Sequence, residues 1–246
     1  MCRSVGDAHP ARRACRYRHG RRVRTAARES VEQRALQSRG ESADAIYAAA
    51  AAALRSAGAG GTIVDVGCGT GRFRRFVGDL FTAYIGIDVI RHEGLPGDVT
   101  FLPADLDHDP LPVADASADC AAAIETIEHL ENPRAFCREL ARILRPGGTL
   151  VLTTPNQISL LSLLSLAVRQ QFDAFTDGSY PAHRTALVPM DLRRIAAETG
   201  FERIGVRFTL KGRVPLTGLH YPALLSRACP RWLSDNVVVM ARRQDG

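Results

Sequence analysis

The chain has one lysine, one tryptophan and only 6% aromatic residues, and it has no long apolar run. Its richest apolar stretch, residues 158–168, is interrupted by Ser159, Ser162 and Ser165 and falls short of the ~18 residues that a membrane span requires. An integral membrane protein is therefore excluded. The six cysteines, at positions 2, 15, 68, 120, 137 and 229, form no CxxC pair, and no apolar stretch of signal-peptide type accompanies the N-terminal arginines. A reduced, cytoplasmic location is expected, with neither a disulfide scaffold nor a cysteine-based zinc cage.

What is present is ordinary globular composition: 246 residues, 46% hydrophobic and 24% charged, enough for one domain with extensions. The net charge of +6 is unevenly placed. Residues 1–40 hold eleven arginines and three acids, while the rest of the chain is close to neutral. The block ARRACRYRHGRRVR lacks the periodicity that would let it pack. Residues 1–40 are read as a basic arm, mobile over about its first 30 residues, and residues 41–246 as the folded domain. The arm is either a solvated extension or a contact for an anionic surface. A neutral body argues against nucleic acid as the partner.

Residues 42–57, SADAIYAAAAAALRSA, predict a helix capped by Ser42 and stopped by Gly58. TIVDV, YIGIDV, VTFLP, ADCAAAI and GTLVLTT are short apolar runs suited to buried strands, and RFRRFVGDL is expected to be helical. PRAFCRELARIL is a helix with Asn132 as cap, Pro133 in the first turn, and Phe136, Leu140, Ile143 and Leu144 as its apolar face. Pro146, Gly147 and Gly148 follow it as terminators. Alternation of this kind predicts an α/β fold with a doubly wound, mostly parallel sheet that binds its ligand at the carboxyl ends of the strands.

The most informative stretch is IVDVGCGTG, where Asp65 precedes Gly67, Gly69 and Gly71. Glycines there permit a tight turn and close approach of the backbone to a ligand, ahead of a helix N-terminus. A dinucleotide site uses G-x-G-x-x-G, whereas this chain has D-x-G-x-G-x-G; the acid would repel a pyrophosphate and attract an ammonium or sulfonium. The motif resembles the first motif of class I S-adenosylmethionine-dependent methyltransferases. Asp88 ends the next strand about 20 residues on, the offset at which a carboxylate accepts from both ribose hydroxyls.

The resemblance covers about residues 44–242 and is nearest to ubiquinone-type O-methyltransferases and saccharide-cluster methyltransferases. It implies S-adenosylmethionine as cofactor and a seven-stranded Rossmann-like sheet whose last strand, NVVVMARR, is antiparallel. It also implies that Asp65 and the Gly67 carbonyl hold the methionine ammonium. Asp105 and the backbone of Leu106 would face the adenine, with Asp107 and Asp109 as competing acids in the same loop. Glu125 is placed with the cofactor-binding set.

Transfer from a sulfonium mainly requires alignment and desolvation of the acceptor, helped by a base when the acceptor is a hydroxyl. Glu125, Glu128 and His129, in E-x-x-E-H spacing, stand near the mouth of the fourth strand. His129 and Glu128 are expected to be catalytic. A divalent ion on these residues and His183 is the competing reading, and a structural loop histidine is the plain one. Residues 157–185 form an insertion expected to cover the substrate, either an apolar lid for a hydrophobic or lipid-linked acceptor or a helix packed into the core. AHRTALVPMDLRRIAAETGF predicts a loop and a helix with Leu192, Ile195, Ala196 and Thr199 inward. The expected activity is methylation of a small-molecule or saccharide acceptor, at oxygen. A metal-dependent RNA 2′-O-methyltransferase and a non-catalytic methyltransferase-like binding module are the alternatives.

Overall fold

The computed structural model describes residues 31–33, 35–36 and 40–245. The arginine-rich block, ARRACRYRHGRRVR, lies outside the described residues. Helix α1 (Asp44–Ser56) leads into β1 (Gly61–Val66), a short α2 (Arg74–Val77), β2 (Phe81–Asp88), β3 (Thr100–Pro103) and β4 (Ala118–Ile124). A single 3₁₀ turn, Ile127–His129, precedes α3 (Pro133–Ile143) and β5 (Leu144–Pro155). Then come α4 (Leu160–Arg169), α5 (Pro189–Glu198), β6 (Phe201–Phe208), α6 (Ala223–Ala228) and β7 (Asn236–Arg243).

The seven strands form one sheet in the order β3-β2-β1-β4-β5-β7-β6. Pairings among β1 to β5 are parallel, and β7 runs antiparallel to both β5 and β6. This is the expected doubly wound Rossmann-like sheet with its last strand reversed. Because the strands are covered on both sides, their residues feed two cores. Val64, Val66, Ala121 and Ala123 pack with Phe136, Leu140 and Ile195 of α3 and α5, whereas Ile63, Cys120 and Ala122 pack with Ala50 and Leu54 of α1. The alanines of β4 let the helices approach the centre of the sheet closely.

Local chemistry explains the helix ends. Asn132 Oδ1 accepts from the Ala135 N–H at 3.0 Å, capping α3 as its sequence predicts. The apolar stripe of α5 is also buried as expected, with Leu192, Ile195, Ala196 and Thr199 inward and Gly200 beyond them at φ +95°. Three expectations need correction. Leu144 is buried but opens β5 instead of ending the apolar face of α3, so Pro146, Gly147 and Gly148 lie within that strand and not at the helix end. Ser42 does not cap α1: the N-cap is Ala43 without a side-chain bond, and the Ser42 N–H donates to the Tyr47 hydroxyl at 2.8 Å. The segment RFRRFVGDL is helical only over Arg74–Val77, because Gly78 and the turn at 79–80 deliver the chain directly into β2.

Candidate active site

The carboxyl ends of β1, β2 and β4 open onto a cavity of about 650 Å³, within the range of about 300–1,000 Å³ typical of small-molecule sites. Gly67, Asp88, Asp105, Leu106, Glu125 and Glu128 all line it. His129 and His183 stand on its wall. The described residues Val31, Ala35 and Gly40 also contribute.

Asp65, on β1 two residues before Gly67, does not itself line the cavity: it is 1% exposed and flanked on the sheet by Gly86 and Ala122. The Tyr84 hydroxyl donates to Asp65 Oδ2, while Oδ1 is buried with no partner. Burial raises the Asp65 carboxyl to about 7, opposed by the Tyr84 bond and aided by the nearby Asp88 charge. A buried carboxylate oxygen without a donor is what an incoming ammonium would satisfy.

Asp88 closes β2. Its Oδ2 accepts from the Gly69 N–H at 2.9 Å and its Oδ1 from the Val89 N–H at 2.7 Å, so it anchors the glycine turn while facing the cavity. Burial moves its carboxyl upward despite these bonds. The three motif glycines all have positive φ, and their individual reasons differ. A Cβ on Gly67 would overlap Thr126, whose hydroxyl donates to the Val66 and Ile124 carbonyls. A Cβ on Gly69 would overlap the Gly40 backbone, and one on Gly71 would meet Leu95 at 2.6 Å. Only Gly67 lines the cavity; Gly69 and Gly71 keep the turn compact against the rest of the protein.

Residues 40–44 are clasped onto that turn. The Thr70 N–H donates to the Gly40 carbonyl at 3.0 Å, and Arg72 bonds Glu41 and Asp44. Glu41 and Ser42 thereby reach the cavity wall. Among the acids after β3, Asp105 is 6% exposed and lines the cavity, with Oδ1 accepting from the Asp107 N–H and Oδ2 2.9 Å from His108 Nδ1. Asp107 also lines it and accepts from the Glu131 N–H; Asp109 does not line it and instead accepts from the Asp105 N–H.

Two buried acids follow β4. Glu125 has φ +51°, a conformation disfavoured for a residue with a Cβ. Its Oε2 accepts from Asn236 Nδ2 at 2.8 Å and its Oε1 has no partner; burial raises its carboxyl to about 7. Glu128 is fully buried, accepts from the Thr154 hydroxyl at 3.0 Å, and is raised well above the usual range by burial and then by Glu125. His129 Nδ1 lies 2.8 Å from the Ala182 carbonyl and His183 Nδ1 2.5 Å from the Ala174 carbonyl. Donation to carbonyls places both protons on Nδ1 and makes Nε2 the basic atom of each ring. The rings meet edge to face at 4.9 Å. Ligand atoms of Glu128, His129 and His183 lie within 4.8 Å of one another, and Glu125 stands outside that trio. Tyr84, Asn236 and the Glu41–Arg72 clasp were invisible to motif reasoning, because nothing in their local sequence marks a partner far along the chain.

A family model of a methyltransferase domain matches residues 32–205. The chain is 33% identical over 183 residues to a probable S-adenosylmethionine-dependent methyltransferase of Mycolicibacterium smegmatis, covering 72% of this chain and 66% of that protein. It is 26% identical over 191 residues to a ubiquinone biosynthesis O-methyltransferase of Psychrobacter arcticus, covering 74% and 69%. The chain thus spans about two thirds of the length of these relatives. Its fold matches the crystal structure of a SAM-dependent methyltransferase from Archaeoglobus fulgidus with a TM-score of 0.58 at 17% identity, covering 78% of this chain and 92% of that one. With the sheet order and the glycine turn between Asp65 and Asp88, these matches make the chain a member of the methyltransferase domain family, an S-adenosylmethionine-dependent methyltransferase with S-adenosylmethionine as its cofactor.

Proposed function

We propose that this enzyme methylates a hydroxyl oxygen of a small-molecule or saccharide acceptor, with His129 as general base. The carrying observation is the 2.8 Å contact between His129 Nδ1 and the Ala182 carbonyl at the cavity wall: a carbonyl only accepts, so the neutral ring carries its proton on Nδ1 and Nε2 is its basic atom. Asp65 and the Gly67 backbone would hold the methionine end, Asp88 the ribose, and Asp105 with Leu106 the adenine. Bound S-adenosylmethionine supplies an activated methyl together with its own leaving group. The chain's part is to align the acceptor, exclude water and take the hydroxyl proton onto His129 Nε2 as the new carbon–oxygen bond forms. Glu128, whose carboxyl burial and then Glu125 push well above the usual range, stands next in the chain to that base. The relative named as a ubiquinone biosynthesis O-methyltransferase supports oxygen as the acceptor atom. A reducing, cytoplasmic location fits the free Cys68, Cys120, Cys137 and Cys229.

A second reading has specific support. One ring nitrogen from each of His129 and His183 and one carboxylate oxygen of Glu128, gathered within 4.8 Å, form a donor set suited to Mg, Mn or Zn, with the rings oriented by their carbonyl bonds. Metal analysis and chelation separate the two. With an acceptor found by screening hydroxylated compounds for S-adenosylhomocysteine release, His129→Ala should lower kcat by about 10²–10⁴ with cofactor affinity intact and chelator inert. Loss of activity to chelator, restored by added metal, together with a stoichiometric ion lost in Glu128→Gln, would replace the base with a metal site.

A further inference from the structure

Helix α4 is built inside out. Its serines, Ser159 at the cap, Ser162 and Ser165, are buried, while Leu160, Leu164 and Val168 form an outward stripe at i, i+4, i+8, with Val168 81% exposed. Leu160, Leu164, Leu166 and Val168 neither join the buried core nor line the cavity, whereas Gly178, Ser179, Tyr180, Ala182 and His183 of the same insertion do line it. Ser162 explains the inward polarity, since its hydroxyl donates to Gln157 Oε1 and accepts from the Asp173 N–H. The apolar surface continues onto the segment before β7. The Leu160 N–H donates to the Trp232 carbonyl at 2.8 Å, and Asn156 Nδ2 holds the Arg231 and Ser234 carbonyls. Leu224, Leu225 and Trp232 are exposed there, Leu224 at 78%.

Charge says what covers this face. Residues 156–172 and 209–234 contain five lysine or arginine residues and no acid. Arg213 is neutralised by Asp173 and Asp235, but Arg169, Lys211, Arg227 and Arg231 have no ion-pair partner among the described residues. Arg231 lies over the Trp232 ring, 5.6 Å from its centroid. A second copy docking through the same face would set these cations against one another, because a two-fold interface pairs a patch with itself. Outward leucines and a tryptophan among uncompensated cations match the requirements of an anionic bilayer surface, with apolar groups in the headgroup layer and cations on the lipid phosphates. We propose that α4 and the 223–233 segment dock the enzyme onto anionic lipid membranes, independently of which acceptor it methylates.

The test is co-sedimentation of the full chain with vesicles of phosphatidylcholine alone or with about 30% phosphatidylglycerol, at low and high salt. The basic N-terminal arm is kept in every protein, so differences between variants belong to the face. Wild type should bind the anionic vesicles, and Arg227→Glu/Arg231→Glu should bind at least about twentyfold more weakly, each cation contributing about fivefold. Leu164→Asn/Val168→Asn should also weaken binding at least about fivefold, and because these side chains are exposed its melting temperature should match wild type. Absence of binding by wild type, or binding by both variants equal to wild type, would overturn the proposal. So would a dimeric wild type that Leu164→Asn/Val168→Asn converts to a monomer, which would give the face to a second copy.

Discussion

At the scale of single residues, the site is an assembly of carboxyls that folding has made reluctant to ionise. Asp65 and Glu125 are both raised to about 7, and Glu128 well above its usual range, each chiefly by burial. In each case the folded state holds its proton more tightly than the unfolded chain does. In the ligand-free enzyme these three groups therefore contribute stability that is fully present below about pH 4 and is lost as pH rises toward about 7 and beyond. An ammonium against Asp65 Oδ1 favours the ionised form, so cofactor affinity should fall by up to about tenfold per pH unit as pH drops below about 7. Calorimetry at pH 5.5 and 7.5 checks this, and equal affinity at the two values would remove the ammonium from Asp65. Gly67→Ala should sharply weaken cofactor binding and lower the melting temperature, because its Cβ overlaps Thr126 and its φ of +78° disfavours a side chain. The acids and glycines of this site were legible in the sequence through their spacing. That Gly69 and Gly71 serve packing was not, since their close neighbours Gly40 and Leu95 come from separate segments.

At the scale of elements, legibility followed how much of an element's energy is local. Helix α3 declared its cap, its first-turn proline and its apolar stripe, all of them near in sequence. Asn132→Ala should cost about 1 kcal/mol, seen as a drop of about 2–4 °C in melting temperature; no change would mean the cap is redundant with tertiary packing. The clasp across the glycine turn is likewise testable. Arg72→Ala removes the bonds to Glu41 and Asp44, and should weaken cofactor binding more than it weakens the fold, because those bonds are exposed while Glu41 lines the cavity. Unchanged affinity would leave the clasp without a part in binding. Helix α4 was illegible for a different reason: leucines at that spacing ordinarily point inward, and the bonds of Ser162 to Gln157 and Asp173, with the long-range bond of Leu160 to Trp232, go with their facing out.

At the scale of the whole molecule, one sheet does two jobs. Its parallel part, β1 to β5, places Asp65, Asp88 and Glu125 toward the carboxyl ends of β1, β2 and β4, and its reversed strand β7 returns Asn236 to hold Glu125. The alternation of strands and helices made the parallel part readable, whereas the partnership of Asn236 with Glu125 depends on a reversal that closes 111 residues of chain. The central claim is that the acids around the glycine turn hold the cofactor, and calorimetric titration of S-adenosylmethionine into wild type and Asp88→Ala tests it most directly. The prediction is a single site in wild type and at least a tenfold loss in the variant, from charge-assisted bonds of about 1.5–3 kcal/mol each. Equal affinity in the two proteins, or no binding to wild type, would contradict it.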